Sequence, residues 1–527
     1  KFGTEFRDFR NDNFNNDPGQ LVFNCSLNLP APTTTCPGAT PAARNTFAQG
    51  IVSTAARTLG NVANRINQNA LDFFGQDSLK LTSYLTVELG LRFTWNATPT
   101  EAQDRFNVLS LAPGAGSTIV GVSQPYGQNN HFQPRLGFAW DLFHNGNTIL
   151  RGGYAYQVDQ PITGIVTGLT SNPLLALPIS VGAKTAFGSL GANFDPSKAA
   201  NISPLVVNPD FQNADVQSWN LNIQQQVGRN TGFMIGYFGT KGTHLEIDRN
   251  INQFGTLGVA STRPFLSIST ASPILPSTAT HVVTLANSIT ERDSNSNSSY
   301  NALWVTANQH VTHGLQFNAS YTWSHSIDEA SRTNNGIVVQ DSTNIFSSRG
   351  NSDFDARHRF VANAIYDLPF TGNRVVSGWS VAPIVSFQSG NPFNIIVNNT
   401  AITGSGGLRP NLNGTPIITG SALSITGWFA NPSVFGAPGN AFGNVGRNSF
   451  VGPGFEDVDL ALIKNTKISE RFNLQLRADA FDLLNHPNYG QPNGTVGANL
   501  GKITSTRFPT GDSGSSRQLQ LAMKLKF

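Results

Sequence analysis

The sequence predicts an all-β fold, a transmembrane antiparallel β-barrel of about fourteen strands with long extracellular loops. Three features of the 527-residue chain predict this fold. Charged residues make up only 12% of the chain, against about a quarter of an ordinary soluble domain. Many segments alternate apolar and polar residues with a period of two. The connections between these segments are alternately short and long, as in outer-membrane barrels.

The composition also restricts the classes of function. With 34 basic and 31 acidic residues the formal net charge is +3, and no block of like charge indicates a nucleic-acid partner. No apolar run reaches the roughly 18 residues of a membrane helix. The chain begins at Lys1 without an initiator methionine or a signal peptide. We therefore expect a processed chain or a fragment, with residues 1–527 forming one barrel domain.

Strands are predicted wherever the two faces of a segment differ in polarity. In the clearest case, residues 85–95, every second residue from Leu85 to Trp95 is apolar and the others are polar or glycine. Segment 300–311 has an ambiguous phase, because Trp304 falls on the face opposite Leu303 and Val305. Further strands are predicted at residues 136–142, 219–227, 233–239, 315–323, 360–370, 458–462, 472–480 and 519–527.

The rhythm of the connections predicts the topology. Short turns are expected near residues 82–83, 144–146, 228–230, 312–314, 371–373 and 467–469. Long polar stretches lie at residues 11–70, 96–130, 160–214, 243–297, 327–354, 392–454 and 486–516. Short turns on the periplasmic side and long loops outside are typical of outer-membrane barrels, and this assignment places the C-terminus in the periplasm. A soluble β-sandwich or propeller also alternates by twos, but neither predicts this rhythm.

Aromatic residues at the strand ends agree with the topology. Trp95, Trp219 and Trp323 fall at the outer boundary of the predicted membrane span, and Tyr84 and Phe143 fall at the opposite boundary, with Phe370 and Phe527. The polar faces of the strands then line a lumen of mixed charge. It collects Glu88, Arg92, Arg135, Asp141, Arg151, Arg357, Arg359, Asp457, Asp459, Arg477 and Asp479.

The last strand carries a more specific signal. Leu519, Leu521, Met523, Leu525 and Phe527 alternate with polar or small residues, and the chain stops on the aromatic ring. This pattern resembles the C-terminal signal by which the barrel-assembly machinery recognises outer-membrane proteins. The alternative is an ordinary terminal edge strand, which would invite aggregation in a soluble protein.

The remaining motifs predict no catalytic chemistry. The two cysteines, Cys25 and Cys36, suit a local disulfide in an oxidising compartment, with two free thiols as the alternative. The histidines have no metal-ligand spacing, and His358 is predicted to be a wall residue. Asp341, Asp353 and Asp355 are predicted to line a solvated loop mouth, with a calcium site as the alternative. We predict no enzyme, metal site or cofactor.

Six segments resemble the C-terminal barrel of TonB-dependent outer-membrane receptors, in particular the Oar-like subgroup with an N-terminal carboxypeptidase-regulatory-like domain. They are residues 74–78 (FGQDS), 134–140 (PRLGFAW), 320–324 (SYTWS), 355–360 (DARHRF), 388–393 (QSGNPF) and 476–487 (LRADAFDLLNHP). The resemblance implies a barrel of about twenty-two strands filled by a plug. We therefore expect the chain to be the C-terminal part of a Gram-negative receptor whose plug, TonB box and signal peptide lie outside it.

The resemblance also implies the function and the partners. A TonB-dependent receptor takes up a scarce nutrient, and its partners are outer-membrane lipid, the barrel-assembly machinery, the TonB complex and an extracellular ligand. Two alternatives remain open. The barrel could anchor a surface or adhesion protein, or the chain alone could form a passive porin-like channel.

Overall fold

A computed structural model describes most of the chain. The described residues are 1–13, 20–22, 51–52, 54–60, 63–110, 117–160, 163–172, 176–181, 185–186, 203–270, 281–284, 288–331, 339–399, 401–404, 406–420, 427–507 and 516–527. Both cysteines of the predicted disulfide, Cys25 and Cys36, lie outside this set.

The fold is dominated by one large sheet of 17 strands. Three of them are the short segments Thr100–Glu101, Leu205–Val207 and Gly350–Asn351. The fourteen others are long and antiparallel, as the sequence predicted: β1 (Phe2–Asn13), β2 (Asn64–Lys80), β3 (Leu85–Asn96), β4 (Asn129–Asp141), β5 (Thr148–Val158), β6 (Asp215–Val227), β7 (Thr231–Asn250), β8 (Thr290–Thr312), β9 (Leu315–Asp328), β10 (His358–Asp367), β11 (Trp379–Gln388), β12 (Phe455–Lys467), β13 (Asn473–Phe481) and β14 (Gln518–Lys526).

The strands pair in the order of the sequence, which fixes the two faces of the sheet. Residues directly opposite each other in an antiparallel pair lie on the same face. Leu89 pairs with Leu136, whereas Glu88 pairs with Gly137. We call the apolar face the outer face and the polar face the inner face. The same register carries through all fourteen strands, so the predicted alternation is confirmed.

The connections follow the predicted rhythm. Six are short, and the tightest joins β8 to β9 through His313 and Gly314, which both have positive φ angles of 52° and 80°. Two positive φ angles are the signature of the type I′ turn that matches the twist of a hairpin. The other seven connections are long and all lie at the opposite end of the sheet. We call the two ends the short-turn end and the long-loop end.

Three strands continue much further into the long connections than the sequence predicted. The expected loops 11–70 and 243–297 are partly strand, because β2 begins at Asn64, β7 ends at Asn250 and β8 begins at Thr290. The extension of β7 and β8 carries charge on both faces, with Asp248 opposite Arg292 and Arg249 opposite Glu291. A strand that is polar on both sides has no alternation to detect, so its composition resembles a loop.

The long connections are not structureless, which corrects a second expectation. Residues of the connection 389–454 pack into a hydrophobic cluster that includes Phe393, Phe429 and Phe435, with Phe450 against it. Phe429 and Phe450 meet edge to face with ring centroids 5.3 Å apart. A second cluster joins β2 to the connections after β3 and β5 through Ile66, Phe106 and Leu169. Packed cores of this kind hold the described parts of these connections together.

Short elements complete the connections. The helical segments are α1 (Gly164–Thr167) and the 3₁₀ turns Gly168–Ser171, Ala260–Thr262, Ile345–Ser348 and Pro432–Val434. The small strands are Gln20–Val22, Ile51–Val52, Thr54–Gly60, Asn107–Ser110, Ser117–Gly121, Ala176–Val181, Thr185–Ala186, Ser267–Thr270, His281–Thr284, Pro392–Phe393, Asn411–Leu412, Phe435–Gly436 and Phe450–Val451. In the part of the chain that the structure describes, no helix is long and apolar enough to cross a membrane.

The large sheet has two edges in this chain. Among the described residues, β1 pairs with β2 and with no second long strand, and β14 pairs only with β13. All nine residues of β14 are exposed. The outer hydrogen-bonding edges of β1 and β14 are therefore not joined to each other.

Candidate transport lumen and loop face

The inner face collects the charged residues that the sequence assigned to a lumen. The register places ten of the predicted eleven on this face: Glu88, Arg92, Arg135, Asp141, Arg151, Arg359, Asp457, Asp459, Arg477 and Asp479. Arg357 is the exception, because it precedes β10 and its Nε donates to Asp355 over 2.9 Å. Its carbonyl still accepts from Ser324 N of β9 over 3.0 Å, so the place of Arg357 on the wall stays a prediction.

An ionic network joins the first three strands on the inner face. The Asp72 carboxylate of β2, whose side chain is 0% exposed, lies 2.7 Å from Arg7 Nη2 of β1 and 2.5 Å from Arg92 Nη2 of β3. Arg92 Nη2 also lies 2.7 Å from the Glu5 carboxylate. Sequence analysis found only Arg92. The missing signal was the alternation of Glu5 and Arg7 in β1, which places both on the face that Asp72 shares.

The inner face changes character from β6 to β9, where neutral polar residues replace charges. Carboxamides and hydroxyls line this part of the wall: Asn220, Asn222, Gln224, Asn308, Asn318, Ser320 and Thr322. Trp304 stands among them, since it pairs with Gly236 and Thr322. Its Nε1 donates to Ser320 Oγ over 3.0 Å. The ambiguous segment is thus resolved with Leu303 and Val305 on the outer face and the indole on the inner face.

Buried arginines fix the long connections over the sheet. Arg447, whose side chain is 5% exposed, lies 2.8 Å from Asp328 Oδ1 at the end of β9 and donates to Ser331 Oγ over 2.7 Å. Arg409 donates to the carbonyls of Val445 and Ser347. Burial, helped by the charge of Arg447, lowers the pKa of Arg409 to about 10. These contacts join the connection 389–454 to the one that follows β9.

A carboxylate pair lies where the β7–β8 extension meets the connection after β5. Arg292 Nε lies 3.9 Å from Glu246 Oε1 and 3.5 Å from Asp248 Oδ1. The same guanidinium donates to the Gly164 carbonyl at the start of α1. Burial raises the pKa of Glu246 to about 7, an increase that Arg292 opposes and Asp248 reinforces. Glu246 therefore lies beside the arginine that also binds the start of α1.

The aspartates of the predicted loop mouth do not converge. Asp341 accepts from Thr343, Asp353 Oδ1 accepts from Asn448 Nδ2 over 2.7 Å, and Asp355 accepts from Ser326 N over 2.7 Å. The expectation of a solvated mouth is wrong for Asp355, which is 3% exposed. Within the described residues no group of three or more His, Cys, Asp or Glu side chains could hold a metal ion.

The predicted interface aromatics lie at the two ends of the outer face. Trp219 pairs with Gly239, and Trp323, which is 54% exposed, pairs with His358. Trp95 Nε1 donates to Gln128 Oε1 over 3.2 Å at the long-loop end. At the short-turn end Tyr84 stacks on His144 with a centroid separation of 3.8 Å, and Phe143 is exposed. Their contact with a membrane stays a prediction.

The residues of the predicted assembly signal share the outer face of β14. Leu519, Leu521, Met523 and Leu525 pair with apolar residues of β13, and their side chains are largely exposed. Phe527 ends the row and is 95% exposed. The register places the first four side chains on one face, and the recognition of all five by the assembly machinery stays a prediction.

Comparison with solved structures finds outer-membrane receptors at low similarity. The siderophore receptor PiuA from Acinetobacter baumannii is 12% identical, with 90% of this chain and 44% of PiuA covered and a TM-score of 0.41. The outer-membrane transporter YddB from Escherichia coli is 12% identical, with 90% of this chain and 52% of YddB covered and a TM-score of 0.44. The siderophore receptor PirA from Acinetobacter baumannii is 10% identical, with 90% of this chain and 52% of PirA covered and a TM-score of 0.45. The chain therefore spans about half the length of these proteins.

A family comparison covers almost the whole chain. No curated protein matches it significantly. The family model described as "Outer membrane beta barrel domain" matches residues 1–520, from the first strand to the beginning of the last. The match agrees with the single antiparallel sheet, its apolar outer face and its polar inner face. The chain belongs to the outer membrane beta-barrel domain family.

Proposed function

We propose that this chain forms the C-terminal part of the barrel of a TonB-dependent outer-membrane receptor, which takes up a scarce nutrient. The observation that carries the proposal concerns the described residues, among which the outer edges of β1 and β14 are not joined to each other. Lipid offers no hydrogen bonds, so a spanning strand must be paired on both sides. Fourteen strands with two free edges therefore need further strands, which favours the larger receptor barrel over a porin made from this chain alone.

The order of the six receptor-like segments in the sequence supports the same proposal. They include inner-wall residues such as Arg135 and Arg477 and the edge of the connection 389–454. In the proposed receptor the long-loop end captures the nutrient outside the cell. The inner face then forms the wall of a lumen that the plug closes. Charges of both signs on this wall favour no single class of ion.

Orientation and partners follow from the same proposal. The short turns and Phe527 would lie in the periplasm, where the barrel-assembly machinery reads the last strand. The apolar outer face would contact outer-membrane lipid. The TonB complex would act through the plug and TonB box, which are expected outside this chain. An Oar-like relationship is supported by the quoted segments alone.

A second function, a barrel-anchored surface protein, is favoured by one observation. The connection 389–454 shares a hydrophobic cluster around Phe429 with Leu500 of the connection after β13, and buried Arg447 fixes it to β9. A loop domain of fixed shape suits a binding surface as well as it suits nutrient capture. Energy coupling distinguishes the two functions, because anchoring needs none.

The test is uptake by whole cells that carry the complete reading frame. Cells with and without this gene grow in a complex medium, and mass spectrometry measures which components disappear, in TonB-intact and TonB-deficient strains. We expect at least one component to be depleted only when both the gene and TonB are present. Depletion that is independent of TonB would support a passive pore. No depletion together with loss of surface adhesion on gene deletion would support the anchor.

A further inference from the structure

A polar cleft lies on the outer face of the sheet at the long-loop end, between β2, β3 and the start of β4. It has a volume of about 280 Å³, just below the about 300–1,000 Å³ of most small-molecule sites. A cleft of this size holds a short ligand of one or two rings. Its lining includes Asn67, Asn69, Trp95, Thr98, Gln124 and Gln128.

The cleft stands directly above the apolar part of the outer face. Pairs of residues on β2 and β3 show the transition. Phe73 lies opposite Phe93, and Leu71 lies opposite Trp95. One step further the backbone N–H of Ala97 donates to the carbonyl of Asn69 over 2.9 Å. The surface therefore changes from apolar to carboxamide at the indole of Trp95, as expected at the boundary of a hydrocarbon layer.

The lining is rich in hydrogen-bonding groups that carry no charge. Trp95 Nε1 donates to Gln128 Oε1 over 3.2 Å, which holds the indole upright at the base of the cleft and leaves the Gln128 amide N–H groups to a ligand. Among the described residues, the side chains of Asn67, Asn69 and Gln124 have no hydrogen-bond partner in the protein. Each carboxamide offers a donor and an acceptor at neighbouring atoms.

Charge excludes the other common ligands. None of the nine lining residues is ionisable. The nearest charges of β1, Asp8 and Arg10, lie opposite Asn69 and Asn67 and pair with each other over 2.8 Å. Phosphate or carboxylate ligands are usually held by arginine or lysine, and cations by carboxylates. An uncharged ligand with many hydroxyl groups and one apolar face matches the carboxamides and the indole.

We propose that this cleft binds an uncharged sugar unit. The hydroxyl groups bond to the carboxamides of Asn67, Asn69 and Gln124, and the C–H face of the ring packs on Trp95. The position beside the apolar outer face, away from the lumen, favours the sugar headgroup of a glycolipid over a free saccharide. With the long-loop end outside the cell, as in the proposed function, this glycolipid belongs to the outer leaflet.

The test uses the complete protein purified in a zwitterionic detergent and reconstituted in nanodiscs. One arm adds glucosyl-diacylglycerol to the nanodisc lipid, and the other adds free maltose and maltotriose; binding is measured by saturation-transfer NMR and by calorimetry. We expect the glycolipid to bind, and the variant Asn69→Ala/Gln124→Ala to bind it at least about tenfold more weakly. Trp95→Phe, which loses the indole N–H and keeps an aromatic ring, should weaken binding less.

Trp323→Phe is the matched control, because Trp323 is also an outward tryptophan at the long-loop end but pairs with His358 and lies outside the cleft. It should bind like the unchanged protein. If the free saccharides bind in preference to the glycolipid, the cleft is still a sugar site, but its ligand is a free saccharide and not a lipid headgroup. The proposal is overturned if neither probe binds, or if Trp323→Phe weakens binding as much as the cleft variants. The binding test uses purified protein and involves no TonB. A negative result in the uptake test would therefore not decide whether the cleft binds a sugar.

Discussion

Single buried charges join parts of the molecule that are far apart in the sequence. Asp72 binds Arg7 and Arg92 across three strands, and Arg447 binds Asp328 across two long connections. Removing one partner of a buried pair leaves the other uncompensated and typically costs about 3–5 kcal/mol. A small number of buried charged side chains therefore fixes the relative positions of these strands and loops.

Glu246, which lies 3.9 Å from Arg292, makes the stability of a different contact region dependent on pH. Burial raises its folded-state pKa from 4.5 to about 7, so between these values the folded protein holds a proton that the unfolded chain has released. The contribution of protonated Glu246 to the stability of the region is fully present below this window and is lost as the pH rises through it. We expect hydrogen exchange in residues 163–172 to quicken, after correction for intrinsic rates, as the pH rises from about 5 to about 8.

Glu246→Gln should remove most of this pH dependence, because the amide cannot ionise. Glu470→Gln, at an exposed position of the short-turn end, is the control and should leave the dependence unchanged. Exchange in residues 163–172 that responds to pH equally in all three proteins would show that Glu246 does not govern the anchoring of α1.

At the scale of the strand, the two faces differ in what they tolerate. Leu89 lies on the outer face and is 44% exposed, whereas Asn318 lies on the inner face opposite Asn363. An arginine in place of Leu89 or Phe317 should lower the free energy of unfolding in lipid by about 2–4 kcal/mol. An arginine at Asn318 points into a polar space and should be tolerated. Urea titration of the protein refolded into vesicles measures all three, and equal tolerance would contradict the assigned faces.

Strands could be predicted from the sequence only where their faces differ. Residues 85–95 alternate cleanly and became β3, but the polar extensions of β7 and β8 gave no signal because charges lie on both sides. Trp304 looked ambiguous because the period alone does not assign faces, and its pairing with Gly236 and Thr322 was needed to do so. The network at Asp72 and the cleft above Trp95 bring together distant segments, so their geometry could not be read from local patterns.

At the scale of the whole molecule, the last residue is expected to control insertion. Phe527 ends the apolar row of β14 and its ring is 95% exposed, so its loss should barely affect packing within the chain. Deleting it should nevertheless reduce the amount of protein in the outer membrane, because the assembly machinery would lose its signal. Phe527→Tyr keeps the aromatic ring and is the control. Heat-modifiability on gels measures the folded protein; equal amounts in all variants would count against the signal.

The order in which the strands pair also determines how the molecule yields to force. Each long strand is bonded to its neighbours along the chain, so the sheet behaves mechanically as a zipper. Within the part of the chain that the structure describes, tension on the C-terminus first loads the hydrogen bonds between β14 and β13. The strands then detach one after another from the C-terminus, and each detachment frees the connection that precedes the strand. Arg447 interrupts this sequence, because it binds the connection before β12 to Asp328 at the end of β9. This ion pair must break before that connection can extend.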